Sequence, residues 1–292
     1  MPRLVILGGS GPLGREVIRL LAAGESYVAL GRHPPPDPAI PWQPFDPAVD
    51  TLGSRLDEAR ILIHLAPLPL LPRLIEAELP AGLERIVALG TTSVLFKKES
   101  GSPRERRIAH EQLRAEAALA HLADLRGLTW TLLRPTLTYG PGDRNVSRIA
   151  GFIRRFRFFP IVGSGSGLRQ PLLARDLARA SLAVLDYPKT LGQSYDLGGG
   201  ETLTYRAMVV RIFGALGLTP RIVPVPLAAM RSGLAVAARF PGWHFLDPEM
   251  AERMMRDLVV ESARARADFG FDPGSFSPAE CLGGGREERS AR

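Results

Sequence analysis

Apolar positions along the chain fall into two alternating patterns. Short runs at Leu4 to Leu7, Tyr27 to Leu30, Ile61 to Leu65, Arg85 to Leu89 and Thr129 to Arg134 have the length and β-branched content of buried strands. Between several of them, apolar residues recur every three or four positions. This is clearest over Gly14 to Ala23 and Arg106 to Leu125, and it predicts amphipathic helices. Short apolar strands separated by helices predict a parallel sheet covered on both faces. Right-handed crossovers then make it a doubly wound α/β sheet.

The pattern changes in the second half. "YGPGDRN" and "VGSGSGLRQP" are turn-rich, the kind of segment that carries binding residues on a rigid scaffold. Helices are expected at Asp176 to Leu185, with Asp176 as N-cap, and near Tyr205 to Leu216, Leu227 to Arg239 and Pro248 to Val260. "SYDLGGG" suggests one more strand. The expected organisation is a sheet domain over 1–140, with 172–200 returning to it, and a smaller, mainly helical cap over 141–171 and 201–280. Residues 281–292 lack apolar periodicity and are expected to be a disordered tail.

Composition narrows the function. With 45% hydrophobic and 23% charged residues the chain reads as globular. No apolar run approaches the ~18 residues of a membrane span. The nearest, Ile61 to Leu71, is broken by His64, Pro67 and Pro69. A lone Cys281 excludes an internal disulfide and a cysteine-cluster metal site. The first strand begins where a signal peptide would still be running, so a cytoplasmic location is expected. The net charge of +7 comes mostly from arginine, the only lysines being Lys97, Lys98 and Lys189. Those arginines are spread along the chain with local clusters at Arg104 to Arg107 and Arg154 to Arg157, which predicts no nucleic-acid partner. Arginine does suit an anionic small molecule.

Chemistry first shows in "GGSGPLG". Gly9, Gly11 and Gly14 fit a G-x-G-x-x-G spacing, and Gly8, Gly11 and Gly14 fit G-x-x-G-x-x-G. A strand before the turn, a helix after it and Pro12 in the first helical turn mark a dinucleotide-binding turn of a Rossmann-type sheet. Small residues there let the backbone approach a pyrophosphate, which the helix N-terminus stabilises. The second strand ends in Gly31-Arg32-His33 with no carboxylate for ribose hydroxyls. Arg32 would pair with a 2′-phosphate, so NADP is favoured, with NAD as the alternative.

The glycine turn, "HLA" at 64–66, "LRPTLTYGPG" at 133–142, "RQPLLARD" at 169–176 and "ARADFGFDP" together resemble the extended short-chain dehydrogenase/reductases, the NAD-dependent epimerase/dehydratase group. The likeness runs from residue 3 to about 275. It implies that Gly8, Gly11, Pro12, Leu13 and Gly14 bind the cofactor pyrophosphate, and that Asp46 meets the adenine. It further implies that Leu65 and Ala66 border the ribose and that Pro135 and Tyr139 sit near the nicotinamide. Arg169 matches an arginine that family members place on a nucleotide-sugar diphosphate; a structural ion pair is the equal alternative. The implied partner is a small molecule such as a nucleotide sugar, and family habit suggests a homodimer.

The same resemblance exposes a departure. The family's acid/base tyrosine and the lysine four residues later have no counterpart, because no tyrosine occurs between Tyr27 and Tyr139. Registering "RRIAHEQLRAEAAL" on Glu116 puts Ile108 and Gln112 at those positions. Thr91 matches the family's Ser/Thr. His110 is a candidate acid/base, although a lone histidine is more often a surface or packing residue. The position of the family's substrate-binding asparagine falls on Leu137, with Asn145 nearby but out of register. Two readings follow: an atypical reductase or epimerase with a non-standard proton donor, or a noncatalytic dinucleotide-binding sensor or structural subunit.

Overall fold

A computed structural model describes residues 3–21, 24–53, 56 and 59–282. Seven parallel strands form the central sheet: β1 (Arg3–Leu7), β2 (Tyr27–Gly31), β3 (Trp42–Pro44), β4 (Ala59–His64), β5 (Arg85–Leu89), β6 (Thr129–Pro135) and, much later in the chain, β11 (Gln193–Leu197). Their order is β11-β6-β5-β4-β1-β2-β3, so the direction of winding reverses between β1 and β4.

Alternation along β1 shows why both faces are covered. Val5 and Leu7 join Val28, Leu30, Leu62 and Ile86 on one face, packed by α2 (Leu71–Glu76) and α4 (Pro103–Leu125). Leu4 and Ile6 turn the other way, onto Val17 of α1 (Pro12–Leu20) and Ala178 of α6 (Ala174–Ala183). Each fully buried aliphatic side chain of this kind contributes about 1.5–3 kcal/mol. Between β5 and α4 lies a short helix, α3 (Ser93–Lys97). Ser102 caps α4 by accepting from the Glu105 amide, with Pro103 in the first turn.

Beyond β6 the chain builds a second layer. β7 (Thr138–Tyr139) pairs with β10 (Leu172–Leu173), β8 (Phe159–Val162) with β13 (Ile222–Val225), and β9 (Leu168–Arg169) with β12 (Leu203–Thr204). Helices α5 (Val146–Phe156) and α7 (Tyr205–Ala215) enclose a core of Ile153, Phe159, Ile161, Val209 and Phe213. The chain ends through α8 (Leu227–Ala237), α9 (Glu249–Arg253), α10 (Ala263–Phe269) and α11 (Ala279–Leu282). The expected tail therefore begins inside α11, and 283–292 lie outside the described residues.

Two expectations need correction. The helix expected over Pro248 to Val260 stops at Arg253. After a turn over 254–256, Arg169 captures the carbonyls of Arg253 and Arg256 and Leu258 forms a bridge to Arg169, so the chain leaves the helix to pair with β9. Asp176 is not an N-cap. It lies inside the first turn of α6, where its carboxylate accepts the Gly274 amide at 3.0 Å and ties down the C-terminal segment.

Candidate active site

The crevice at the C-terminal ends of β1 and β4 is where ligands bind in sheets of this winding. Its floor is the glycine turn. Gly8 takes φ +92°, a left-handed conformation that favours glycine. Its amide donates to Leu30 O at 2.8 Å, and Gly11 N donates to Gly8 O at 3.0 Å. A Cβ on Gly14 would stand 2.5 Å from Gly9 Cα and 2.6 Å from Gly9 O, and closer still to Gly8 O. These glycines let α1 press its first turn onto β1. Gly11 opens that helix with extended backbone, Pro12 follows, and no side chain caps the end. The first-turn amides are left for an external anion.

Other predicted residues converge here. Leu65 and Ala66 abut Gly8, whose Cβ would sit 3.3 Å from the backbone of each. Leu13 turns its side chain into the core, so only its backbone faces the turn. Gly142 of the "YGPG" loop lies over the start of α1, beside Pro12 and Arg15. At the end of β2, a Cβ on Gly31 would meet Ser10 Oγ at 2.9 Å and Trp42 Nε1 at 3.8 Å, and exposed Arg32 follows. The Trp42 indole nitrogen is buried without a partner among the described residues. No sequence signal marked it, because β3 is only three residues long. Asp46 holds a tight turn through Ala48 N at 3.0 Å, in a loop that Arg73 pins by three backbone carbonyls.

On the other side of the crevice, β5 delivers Thr91 and Thr92. Thr91 Oγ1 accepts the Ser93 amide at 3.1 Å. Buried Thr92 donates its hydroxyl and its amide to Pro135 O. Pro135 thus fixes the threonine turn through its carbonyl. Near the start of α4, a cavity of about 170 Å³ is lined by Phe96, Ser100, Glu105, Glu249, Arg253 and Arg256. Glu105 accepts from Ser100 Oγ at 2.9 Å and pairs with Arg253 and Lys97, so its carboxylate is fully engaged.

Three further predicted residues have protein partners of their own. Tyr139 is buried in the second layer, edge-on to Phe276, and its hydroxyl accepts the Ser277 amide at 3.1 Å; burial pushes its pKa up. Its ring and hydroxyl are thus held by the C-terminal segment. Arg169 is buried, and its guanidinium donates to the carbonyls of Leu168, Arg253 and Arg256. These partners are backbone carbonyls, and it forms no ion pair among the described residues. Burial pulls its pKa down to about 10. Asn145 donates to Thr138 O at 2.9 Å, at the exposed start of α5.

His64, at the end of β4, is fully buried with Nδ1 unpartnered among the described residues. Burial pushes its pKa down to about 4, against the opposing pull of the Pro67 carbonyl. The unfolded chain titrates near 6.5 and so binds more protons than the folded one between these values. Stability is therefore expected to fall by about 3 kcal/mol as pH drops from ~6.5 to ~4. Urea unfolding across that range checks this, and His64→Leu should flatten the dependence.

Comparison with known proteins places this geometry. Residues 69–198 match the NAD dependent epimerase/dehydratase family. Over 137 residues the chain is 31% identical to the Arabidopsis thaliana mitochondrial NADH dehydrogenase [ubiquinone] 1 alpha subcomplex subunit 9, covering 44% of this chain but 34% of that subunit. The match thus spans about a third of the curated relative. Among solved structures, MoeE5 in complex with UDP-glucuronic acid and NAD superposes with a TM-score of 0.75 at 21% identity, covering 98% of this chain and 99% of MoeE5. The UDP-N-acetylglucosamine 4-epimerase from Bacillus cereus gives 0.71 at 16%, covering 97% of each chain. The NDP-hexosamine 5,6-dehydratase TunA gives 0.69 at 18%, covering 100% of this chain and 99% of TunA. These likenesses establish the fold.

Within this epimerase/dehydratase fold, α4 holds neither tyrosine nor lysine. Ile108 is 41% exposed, and His110 lies on the solvent side of the helix. Gln112 is half-buried, with its side-chain oxygen unpartnered among the described residues. Glu116 points inward and pairs with Arg134 of β6 at 2.6 Å, and Arg134 reaches Asp196 of β11 at 3.4 Å. Among the described residues no helix is long and apolar enough to cross a membrane, and no group of His, Cys, Asp or Glu side chains gathers for a metal.

Proposed function

We propose that this chain is a dinucleotide-binding module that holds a nicotinamide cofactor in the β1–β4 crevice and does not turn over a nucleotide sugar by the family's usual proton transfer. The observation that carries this is the pairing of an intact glycine cradle with an α4 that has no tyrosine or lysine. The first-turn amides of α1 would take the pyrophosphate, Asp46 the adenine, and Leu65 and Ala66 the ribose. Arg32 would take a 2′-phosphate, which makes NADP the favoured ligand; the NAD seen with MoeE5 supports the alternative. When bound, the nicotinamide supplies a hydride donor or acceptor. The chain's own groups nearest in role are Thr91, whose hydroxyl oxygen is already used by Ser93 N, and His110, which faces solvent. Neither stands in for the tyrosine and lysine that α4 lacks.

The likeness to a mitochondrial NADH dehydrogenase subunit supports a role inside an assembly. The full-length fold match to MoeE5 supports the enzyme reading, in which Thr91 and His110 act on a nucleotide sugar. Incubation with NAD or NADP and UDP-glucose, UDP-glucuronic acid or UDP-N-acetylglucosamine separates them, followed by nicotinamide absorbance and product NMR. Binding without turnover is expected. Arg32→Ala should weaken NADPH by roughly tenfold or more and leave NADH unchanged. Turnover that disappears in Thr91→Ala would establish the enzyme reading instead.

A further inference from the structure

The arginines look scattered in sequence, but the fold gathers many of them in the second layer. Between Asp143 and Asp176, and again between Glu201 and Asp247, the sequence holds no acidic residue. These two stretches build α5, β8, α7, β13 and α8. Arg148, Arg155, Arg157, Arg221 and Arg239 are all exposed there. Among the described residues none of these five forms an ion pair, whereas Arg211 of the same stretches pairs with Glu201 and Arg231 with Glu249 and Glu252.

An exposed apolar surface lies among those charges. Phe152 contacts the rings of Phe156 at 4.6 Å, Phe158 at 5.8 Å and Trp243 at 6.3 Å. Trp243 stacks on Phe245 at 6.2 Å, and Arg148 lies 3.9 Å above the Phe245 ring. Phe156 and Phe158 are 41% and 38% exposed, and Phe240 is 60% exposed. Phe240 follows α8, whose sequence "LAAMRSGLAVA" carries one charge and buries only Met230. A helix this apolar normally packs its face away from water. At eleven residues it is too short to cross a bilayer.

We propose that this face docks on an anionic phospholipid surface, with the Phe156, Phe158, Phe240 and Phe245 rings and the apolar side of α8 entering the interface and the arginines meeting lipid phosphates. Charge complementarity selects the occupant. Exposed aromatic rings with Arg148 over Phe245 and Arg155 over Phe156 suit an interface where apolar side chains insert and basic ones stay with the headgroups. A nucleic acid would satisfy the charge but leave the phenylalanines and Val236 in water.

Co-sedimentation of the full chain with vesicles tests this. Binding is expected to vesicles containing about one-third phosphatidylglycerol and at least roughly tenfold less to phosphatidylcholine alone, with loss at high salt. The double variants Phe156→Ser with Phe240→Ser, and Arg155→Glu with Arg239→Glu, should each weaken binding by about tenfold or more. Because Phe156 also packs on Phe152, circular dichroism checks that both variants remain folded at the assay temperature. Absence of vesicle binding, or binding indifferent to lipid charge or to both variants, would overturn the proposal. So would vesicle-independent binding of duplex DNA that survives the Phe double variant, or a dimer that this variant dissociates while vesicles are ignored.

Discussion

Gly14→Ala is expected to abolish dinucleotide binding and to destabilise the fold by about 3 kcal/mol. The added methyl would meet backbone atoms of Gly8 and Gly9 at 2.6 Å or less, and backbone cannot swing aside as a long side chain can. Either α1 tilts away from β1 or the turn opens, and both displace the first-turn amides that face the crevice. The matching control is Gly151→Ala, in the middle of α5, where nothing lies within 4 Å of the new Cβ. That change should be neutral or stabilise by up to ~1 kcal/mol, since glycine is the weaker helix former. Chemical unfolding and isothermal calorimetry on both variants separate a packing effect confined to the crevice from a general intolerance of added side chains.

Arg134→Met is expected to destabilise the protein by about 3–5 kcal/mol. Burial works against the Arg134 charge, yet the hydrogen bond and charge of Glu116, helped by Asp196, outweigh it and raise its pKa. Glu116 lies deeper, with a side chain only 7% exposed, and its Oε1 already lacks a partner among the described residues. Removing the guanidinium leaves a buried carboxylate with no counter-charge. Glu116→Gln introduced together with Arg134→Met should recover much of the loss, because the pair's desolvation cost disappears with its attraction. Urea midpoints of the two single variants and the double variant give the coupling; additive losses would show that the pair is not a unit.

The sheet was legible because its strands bury both faces. Arg85 to Leu89 forms the strand the pattern predicts, and Tyr27 to Leu30 and Thr129 to Arg134 extend by one residue each. The glycine spacing was legible for a steric reason, since a Cβ at Gly14 would collide with the preceding turn. Long-range hydrogen bonding was not. Whether Arg169 would face an anion or backbone depended on where Arg253 and Arg256 would lie, more than eighty residues later. Tyr139 was hidden in the same way, by a late segment bringing Phe276 and Ser277 to its ring and hydroxyl. Trp42 escaped notice because its strand is too short for any periodicity. The arginine-rich face was visible only as scattered residues until the fold brought two acid-free stretches side by side.

The glycine cradle's proposed ligand is a nicotinamide dinucleotide. Calorimetric titration of the purified full chain with NADPH and with NADH tests this most directly. Saturable binding at one dinucleotide per chain, retained in Gly151→Ala and lost in Gly14→Ala, is the predicted result. A folded wild-type chain that binds neither dinucleotide would contradict it.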